Sequence, residues 1–177
     1  MIRKQWPAFI LAFVLPLLAV YWWWGGFNEA AVSETESGPH VYAYLEHEGD
    51  LGKLPKTQAR VFALLGQAGI APGDTITVLL TDPRKTAKGE QRARTGYRVP
   101  ADAKLPEELM SEVIPRRRVL AARVRAAATL APGKAYQALA DHLAPSGRDI
   151  TLPAVEIYRP SGTPARVGEL TVEIAAP

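Results

Sequence analysis

The sequence predicts an α+β fold made of two similar strand-helix-strand-strand halves, preceded by one N-terminal transmembrane helix. Three observations lead to this prediction. Short alternating segments and amphipathic segments follow residue 40 in an order that repeats, residues 55–83 align without gaps on residues 132–160, and residues 6–27 carry no charge. Two such halves would face each other across a pseudo-twofold axis, and the central cleft between them is the expected ligand site.

The uncharged N-terminal segment has the length of a membrane span. Its 22 residues from Trp6 to Phe27 would form a helix of roughly 33 Å, enough for a hydrocarbon core of about 30 Å. Tyr21 and the three tryptophans at 22–24 form an aromatic belt at one end. We therefore expect residues 1–27 to anchor the protein, with residues 6–27 in the membrane.

The charges around this segment predict its orientation. Arg3 and Lys4 come before it, and Glu29, Glu34 and Glu36 come after it. By the positive-inside rule, the protein is expected to be a single-pass inner (cytoplasmic) membrane protein. Its N-terminus would lie inside, and its C-terminal domain would lie in the periplasm or outside.

A cleaved signal peptide is the alternative for this segment. Cleavage requires small residues at the last and third-last positions, and the best candidate, after Ala30, has Asn28 in the third-last position. Residues 28–39, "NEAAVSETESGP", are predicted to be a short flexible linker, so that the domain proper spans 40–177.

The first half contains a strand, a helix and two more strands. Residues 40–49 alternate as a strand does, and residues 55–68 begin with proline and end near glycine with apolar residues at helical spacing. A strand over 76–80 and another over 94–100 are expected to pair across the basic loop "RKTAKGEQRAR".

The second half repeats this order. A connector over 105–115, at most one helical turn, leads to a strand over 118–126, a helix over 132–144 and two final strands over 150–160 and 168–177. An offset of 77 residues places Pro55 on Pro132 and Val78 on Val155, although only four of the 29 aligned positions are identical. The coincidence of the helix starts and strand ends is the stronger evidence for duplication.

An acid in the strand "PAVEIY" marks the candidate site. Glu156 and Tyr158 share one face of this strand because strand side chains alternate, and Glu156 aligns with Leu79 of the first half. If Leu79 is buried, Glu156 occupies an inherently apolar position. A carboxylate there is costly unless it is paired, so a role in ligand binding is expected.

Residues "APGKAYQALADHLAPSG", "PAVEIYRP" and "LTVEIAAP" resemble the second half of the GyrI-like small-molecule-binding family. This family comprises the effector-binding domains of AraC-type and multidrug-sensing regulators, and the resemblance extends over roughly residues 40–176. It implies a pocket between duplicated halves with Glu156 at its floor, facing lipophilic and often cationic ligands. The chain departs from the family where histidine, at His142, replaces a frequent tryptophan, and in its N-terminal segment.

The expected partner is therefore a small lipophilic molecule, either neutral or cationic. A carboxylate among aromatic rings suits an organic cation, and the candidate ligand-binding residues are Glu156, Tyr158, Tyr97, Tyr44 and Tyr42. The function expected is that of a sensor or sequestering protein. The alternatives are a hydrolase of reactive small molecules that uses Glu156, and an envelope protein-interaction module without a ligand.

Composition and motifs exclude several other classes. The chain has no cysteine, and no metal-ligand spacing, Ser–His–Asp grouping or glycine-rich phosphate loop stands out. We therefore expect no metal and no cofactor, and assign no catalytic residue. There are two basic clusters: the one at 84–94 has no aromatic residue for base stacking, and the one at 116–125 continues into a predicted strand. Because the net charge is only +3, no nucleic-acid partner is expected.

Overall fold

The computed structural model describes residues 6–161 and 167–176. Over these residues the fold is α+β, with three α-helices and eight strands in one antiparallel sheet. In chain order the elements are α1 Trp6–Trp23, β1 Ala31–Ser37, β2 His40–Glu48, α2 Leu54–Gln67, β3 Thr75–Leu79, β4 Arg92–Arg98, β5 Met110–Ile114, β6 Arg117–Ala127, α3 Ala131–Leu143, β7 Ala154–Arg159 and β8 Val167–Ala175. Short 3-10 turns stand before α2 and after α3.

The strand order agrees with the 77-residue offset. The order in the sheet is β1-β6-β8-β7-β3-β4-β2-β5. The counterparts in the two halves are β1 and β5, β2 and β6, β3 and β7, and β4 and β8. When each strand is exchanged for its counterpart and the order is read backwards, the same order results. At the centre, β3 and β7 are antiparallel neighbours, and Val78 pairs with Val155. These two residues are the ones that the offset superimposes, so a local twofold axis through this pair relates the two halves.

Two strands lie where the sequence predicts a linker and a connector. β1 forms from the middle of the predicted linker over 28–39 and pairs with β6, while β5 forms from the predicted connector and pairs with β2. Each half thus contributes its first strand to the edge of the other half. Both segments are short or polar, so the pairing depends on edges that neighbouring strands offer and not on a local apolar pattern.

Both helices of the domain pack on one face of the sheet. α2 lies over β2 and β4, and α3 lies over β6, β8 and β1. Proline in the first turn of each helix suits its start, because the N–H that proline lacks has no partner within the helix. Val61 and Leu65 anchor α2, and Leu139 and Leu143 anchor α3, all of them buried.

The opposite face is closed by the curl of the sheet. β1 and β2 are joined through Gly38 and Pro39 alone, although five strands separate them in the sheet order, so the sheet must curl until these strands approach each other. Where they meet, Glu173 of β8 is 2% exposed; it accepts a hydrogen bond from Ser37 and lies 3.2 Å from Nη2 of Arg117.

Burial alone would raise the pKa of Glu173, but hydrogen bonds from His40 and Ser37 and the charge of Arg117 outweigh it. The pKa of this carboxyl is therefore lowered from its ordinary value, and its charged form stabilises the fold. Arg98 Nη2 donates to His40 Nδ1 over 2.9 Å, so the ring proton is on Nε2, the nitrogen that faces the Ser37 hydroxyl and therefore cannot accept from it. Ser37 and His40 therefore do not form a nucleophile-base pair of the hydrolase type.

The N-terminal segment differs from the prediction of a 22-residue span. α1 ends at Trp23, and the chain turns at Gly25, whose φ is 73°. A Cβ at Gly25 would lie 2.6 Å from the carbonyl oxygen of Arg125, so this close approach to β6 requires glycine. Over the described residues, no helix has both the length and the apolar character needed to cross a membrane. The predicted transmembrane helix is therefore not supported.

Candidate functional site

A cleft opens between the beginnings of α2 and α3, above the central strands. Its volume is about 280 Å³. The walls include Pro55 and Pro132, the residues that the 77-residue offset superimposes at the two helix starts, and the floor includes Thr77, Glu156 and Tyr158. We call this space the Glu156 cleft.

Glu156 lies on the central strand β7 at the floor of the cleft. It pairs with Thr77 of β3 on one side and with Val172 of β8 on the other. Leu79, its counterpart in the first half, is 4% exposed, which confirms that the position is buried in the twin half. An acid here replaces an apolar residue of the duplicated fold.

The carboxyl of Glu156 has one hydrogen-bond donor from α3. Tyr136 Oη donates to Glu156 Oε1 over 2.8 Å. Burial raises the pKa of Glu156 above its ordinary value, and the hydrogen bond from Tyr136 offsets part of this rise. Burial likewise raises the pKa of Tyr136, and the neighbouring charge of Glu156 adds to that effect. The tyrosine therefore stays protonated and remains the donor.

A row of hydroxyl groups continues from Glu156 across the sheet. Thr77 pairs with Glu156, and Thr95 of β4 pairs with Thr77. Their hydroxyl oxygens are 2.8 Å apart, and Nε2 of Gln58 on α2 donates to Thr95 over 3.1 Å. This row makes one side of the cleft floor polar, while Leu54 and Leu170 make other parts of the wall apolar.

Tyr158 lies beside Glu156 in the cleft, as the alternation of the strand predicts. Its side chain crosses Gly168 of β8 so closely that a Cβ there would lie 2.5 Å from the ring. Burial raises the pKa of Tyr158, and a hydrogen bond with the Gly168 backbone lowers it in part. The Tyr158 ring therefore packs against the Gly168 backbone and forms a wall of the cleft.

Tyr97 lies next to the cleft and does not line it. It pairs with Thr75, which is a cleft residue, and their side chains are hydrogen-bonded. The ring packs edge-on against Phe62 with centroids 5.8 Å apart. Tyr97 therefore belongs to the core under α2, and it contacts the cleft wall through Thr75.

Tyr42 and Tyr44 lie on the opposite face of the sheet, away from Glu156. Their rings stack at 5.0 Å, and both are buried. Tyr42 Oη donates to Glu112 over 2.9 Å, and the guanidinium of Arg94 lies 5.4 Å from the centroid of the Tyr44 ring. The sequence predicts that both tyrosines bind the ligand, but the curl of the sheet buries the face on which they lie. The structure therefore does not bring these two candidates to the cleft.

The sequence did not indicate the hydrogen-bond donor of Glu156 or the polar row beside it. Tyr136 belongs to the apolar face of a helical pattern, and Gln58 and Thr95 lie in other elements, so nothing local to "PAVEIY" indicates that these side chains lie near the cleft floor. Among the described residues, no group of three or more histidine, cysteine or carboxylate side chains is arranged to hold a metal ion.

Comparison with known proteins decides the family. A model of the GyrI-like small-molecule-binding domain matches residues 32–177. The chain belongs to the GyrI-like small-molecule-binding family. The match includes β1, in agreement with the place of that strand in the sheet. It also confirms the resemblance drawn from residues 132–176.

Solved structures share the GyrI-like fold. The crystal structure of the EcmrR C-terminal domain superimposes with a TM-score of 0.60 at 16% identity, covering 84% of this chain and 96% of that one. EcmrR in its cryo-EM complex with DNA gives the same score and identity over 98% of this chain and 67% of that one. At this identity the likeness shows a common fold. No curated protein matches the chain.

Proposed function

We propose that the GyrI-like domain binds small lipophilic cations in the Glu156 cleft and acts as a sensor or sequestering protein for them. The observation that carries this proposal is the position of Glu156. It places a carboxyl at the floor of an open cleft between the two halves, in a position that is apolar in the twin half.

The electrostatics of the cleft favour a positive ligand. The raised pKa of Glu156 means that its environment solvates the carboxylate poorly. A cation in the cleft would supply the missing counter-charge, while the Tyr158 ring offers cation–π attraction of about 0.5–2 kcal/mol. The apolar walls would enclose the remainder of the ligand. Binding of a cation should therefore lower the pKa of Glu156 and release a proton.

The direct test compares two ligands of one shape. Benzyltrimethylammonium and its uncharged carbon isostere, neopentylbenzene, would be titrated into the full-length chain and into Glu156→Gln. The wild type should bind the cation more tightly than the isostere, and Glu156→Gln should lose tenfold or more in cation affinity, about 1.4 kcal/mol. Equal affinities of the two proteins for the cation would refute the role of the carboxylate.

Hydrolysis of a reactive ligand is a second candidate, and the Glu156–Tyr136 pair favours it. A carboxyl with a raised pKa beside a hydroxyl donor, in a cleft that admits water, can act as a general acid or base. Mass spectrometry of epoxide or ester ligands incubated with the protein would test this activity. Turnover that is lost in Glu156→Gln would support hydrolysis, and intact ligands would exclude it for those compounds.

The localisation stays a prediction. Arg3 and Lys4, on which its orientation depends, lie outside the described residues. A reporter that is active only in the periplasm, fused after Pro177, should be active if the domain is exported. An inactive reporter would count against export.

A further inference from the structure

A second cavity lies beside α3, and Tyr136 separates it from the Glu156 cleft. Its volume is about 240 Å³. Tyr136 lines this cavity, while its hydroxyl bonds to the carboxyl at the floor of the cleft. We call the cavity the α3 chamber; its principal apolar walls are Leu79, Pro83, Ala140, Ile150 and Leu152.

The polar groups in the chamber wall already have partners. Tyr136 donates its hydroxyl to Glu156 over 2.8 Å, and Gln137 donates its amide to Asp141 over 2.8 Å. Asp82 and Arg84, the charged pair in the wall, neutralise each other at 2.8 Å. A charged ligand would therefore find no unbalanced counter-charge here, whereas a neutral apolar ligand would displace water from apolar walls.

Ion pairs tie together the two loops that flank the chamber. Asp149 accepts from Arg84 over 3.2 Å and from Lys85 over 2.8 Å. These bonds join the β3–β4 loop to the segment before β7, and both segments contribute wall residues. The side chains of both pairs are largely exposed, so water and salt screen them and each pair stabilises the contact between the loops only weakly. The loops can therefore separate at low cost and admit a ligand.

We propose that the α3 chamber is a second binding site, which takes a neutral apolar molecule of one or two rings. The size follows from the volume, which is below the range of roughly 300–1,000 Å³ for sites of drug-sized ligands. The neutrality follows from the balanced charges in the wall. Leu152, which is 37% exposed, marks the side from which such a molecule can enter.

The test is photolabelling of the full-length chain with a neutral phenyl diazirine, followed by peptide mass spectrometry. Peptides that contain the chamber walls should be labelled in a saturable way, and excess toluene should remove the label. Excess benzyltrimethylammonium should not remove it, because that cation belongs to the Glu156 cleft. The exposed apolar residues of α1 will also take label, and they serve as an internal reference for non-saturable labelling.

Two variants fill the chamber, and a matched variant leaves it open. Ala140→Phe and Gly133→Leu should each reduce chamber labelling at least fivefold relative to the α1 label. A Cβ at Gly133 meets no atom within 4 Å, so this variant keeps the test valid even if Ala140→Phe fails to fold. Ala138→Phe, on the same helix and outside both cavities, should label as the wild type does.

Three results would overturn the proposal. Undiminished labelling of the folded filling variants would place the probe elsewhere, and labelling that toluene cannot displace would indicate a non-specific surface. Competition by benzyltrimethylammonium would make the chamber part of the Glu156 cleft. None of these results bears on whether Glu156→Gln weakens cation binding, so the two proposals stand or fall separately.

Discussion

Replacing Glu156 by glutamine removes one negative charge from the cleft floor and keeps the shape of the side chain. The amide oxygen of the new glutamine can still accept the hydrogen bond that Tyr136 now donates to Oε1. The variant thus isolates the cost of holding a carboxylate in a poorly solvated position. We expect it to be more stable than the wild type at neutral pH in the absence of ligand.

The size and pH dependence of this gain follow from the environment of Glu156. A poorly solvated polar group costs about 1–3 kcal/mol, and because the Tyr136 bond is common to both proteins it does not enter the difference. The pKa of Glu156 is raised in the folded state above the ordinary value of 4.5, so the folded protein holds this proton more tightly than the unfolded chain. The stability of the wild type should therefore fall as the pH rises from that ordinary value through the raised folded pKa.

Urea denaturation of the full-length chain from pH 4 to pH 8 measures this difference. The free energy of unfolding of Glu156→Gln should exceed that of the wild type by about 1–3 kcal/mol at pH 7, and the excess should shrink towards pH 4. A variant that is less stable than the wild type at pH 7 would show that the carboxylate belongs to a structural hydrogen-bond network. That result would refute the argument that an acid is kept here for ligand binding.

Three further variants and one control variant probe the same reasoning. Glu173→Gln should destabilise the protein at pH 7 by about 3–5 kcal/mol, the cost of breaking a buried ion pair. The pKa of Glu173 is lowered in the folded state, so the wild type loses stability as the pH falls below 4.5 towards that lowered value. In urea denaturation, the stability difference between the variant and the wild type should therefore shrink over that range. Tyr136→Phe removes the donor to the Glu156 carboxyl, so it should lower the free energy of unfolding by about 1–3 kcal/mol at pH 7. The decrease should be smaller under acid conditions, because a neutral carboxyl needs the donor less. Equal decreases at both pH values would contradict this. Tyr158→Leu should weaken benzyltrimethylammonium binding by about 0.5–2 kcal/mol in calorimetric titration, whereas Tyr44→Leu, on the far face of the sheet, should leave it unchanged.

Local patterns in the sequence determined the helices and most of the strands. The proline-to-glycine segments that were predicted as helices over 55–68 and 132–144 are α2 and α3, displaced by one residue. The 77-residue offset superimposed Val78 on Val155, the two residues that the structure pairs at the centre of the sheet, because a duplicated fold repeats the same local pattern in each half. It also predicted that Glu156 takes a position that is buried in its twin, Leu79. These conclusions needed no knowledge of long-range contacts.

Only the tertiary structure decided which residues meet. The segments that form β1 and β5 carry little strand pattern of their own, and they become strands because β6 and β2 offer open edges. Alternation places Tyr42 and Tyr44 on one face of β2, but the curl of the sheet determines that this face is closed and lies away from the cleft. Tyr136 reaches Glu156 from α3, which packs over β6 and β8 beside the central strand β7, and the two residues are 20 positions apart in the chain. Such contacts depend on how the elements pack together, and a periodic pattern within a single element carries no information about them.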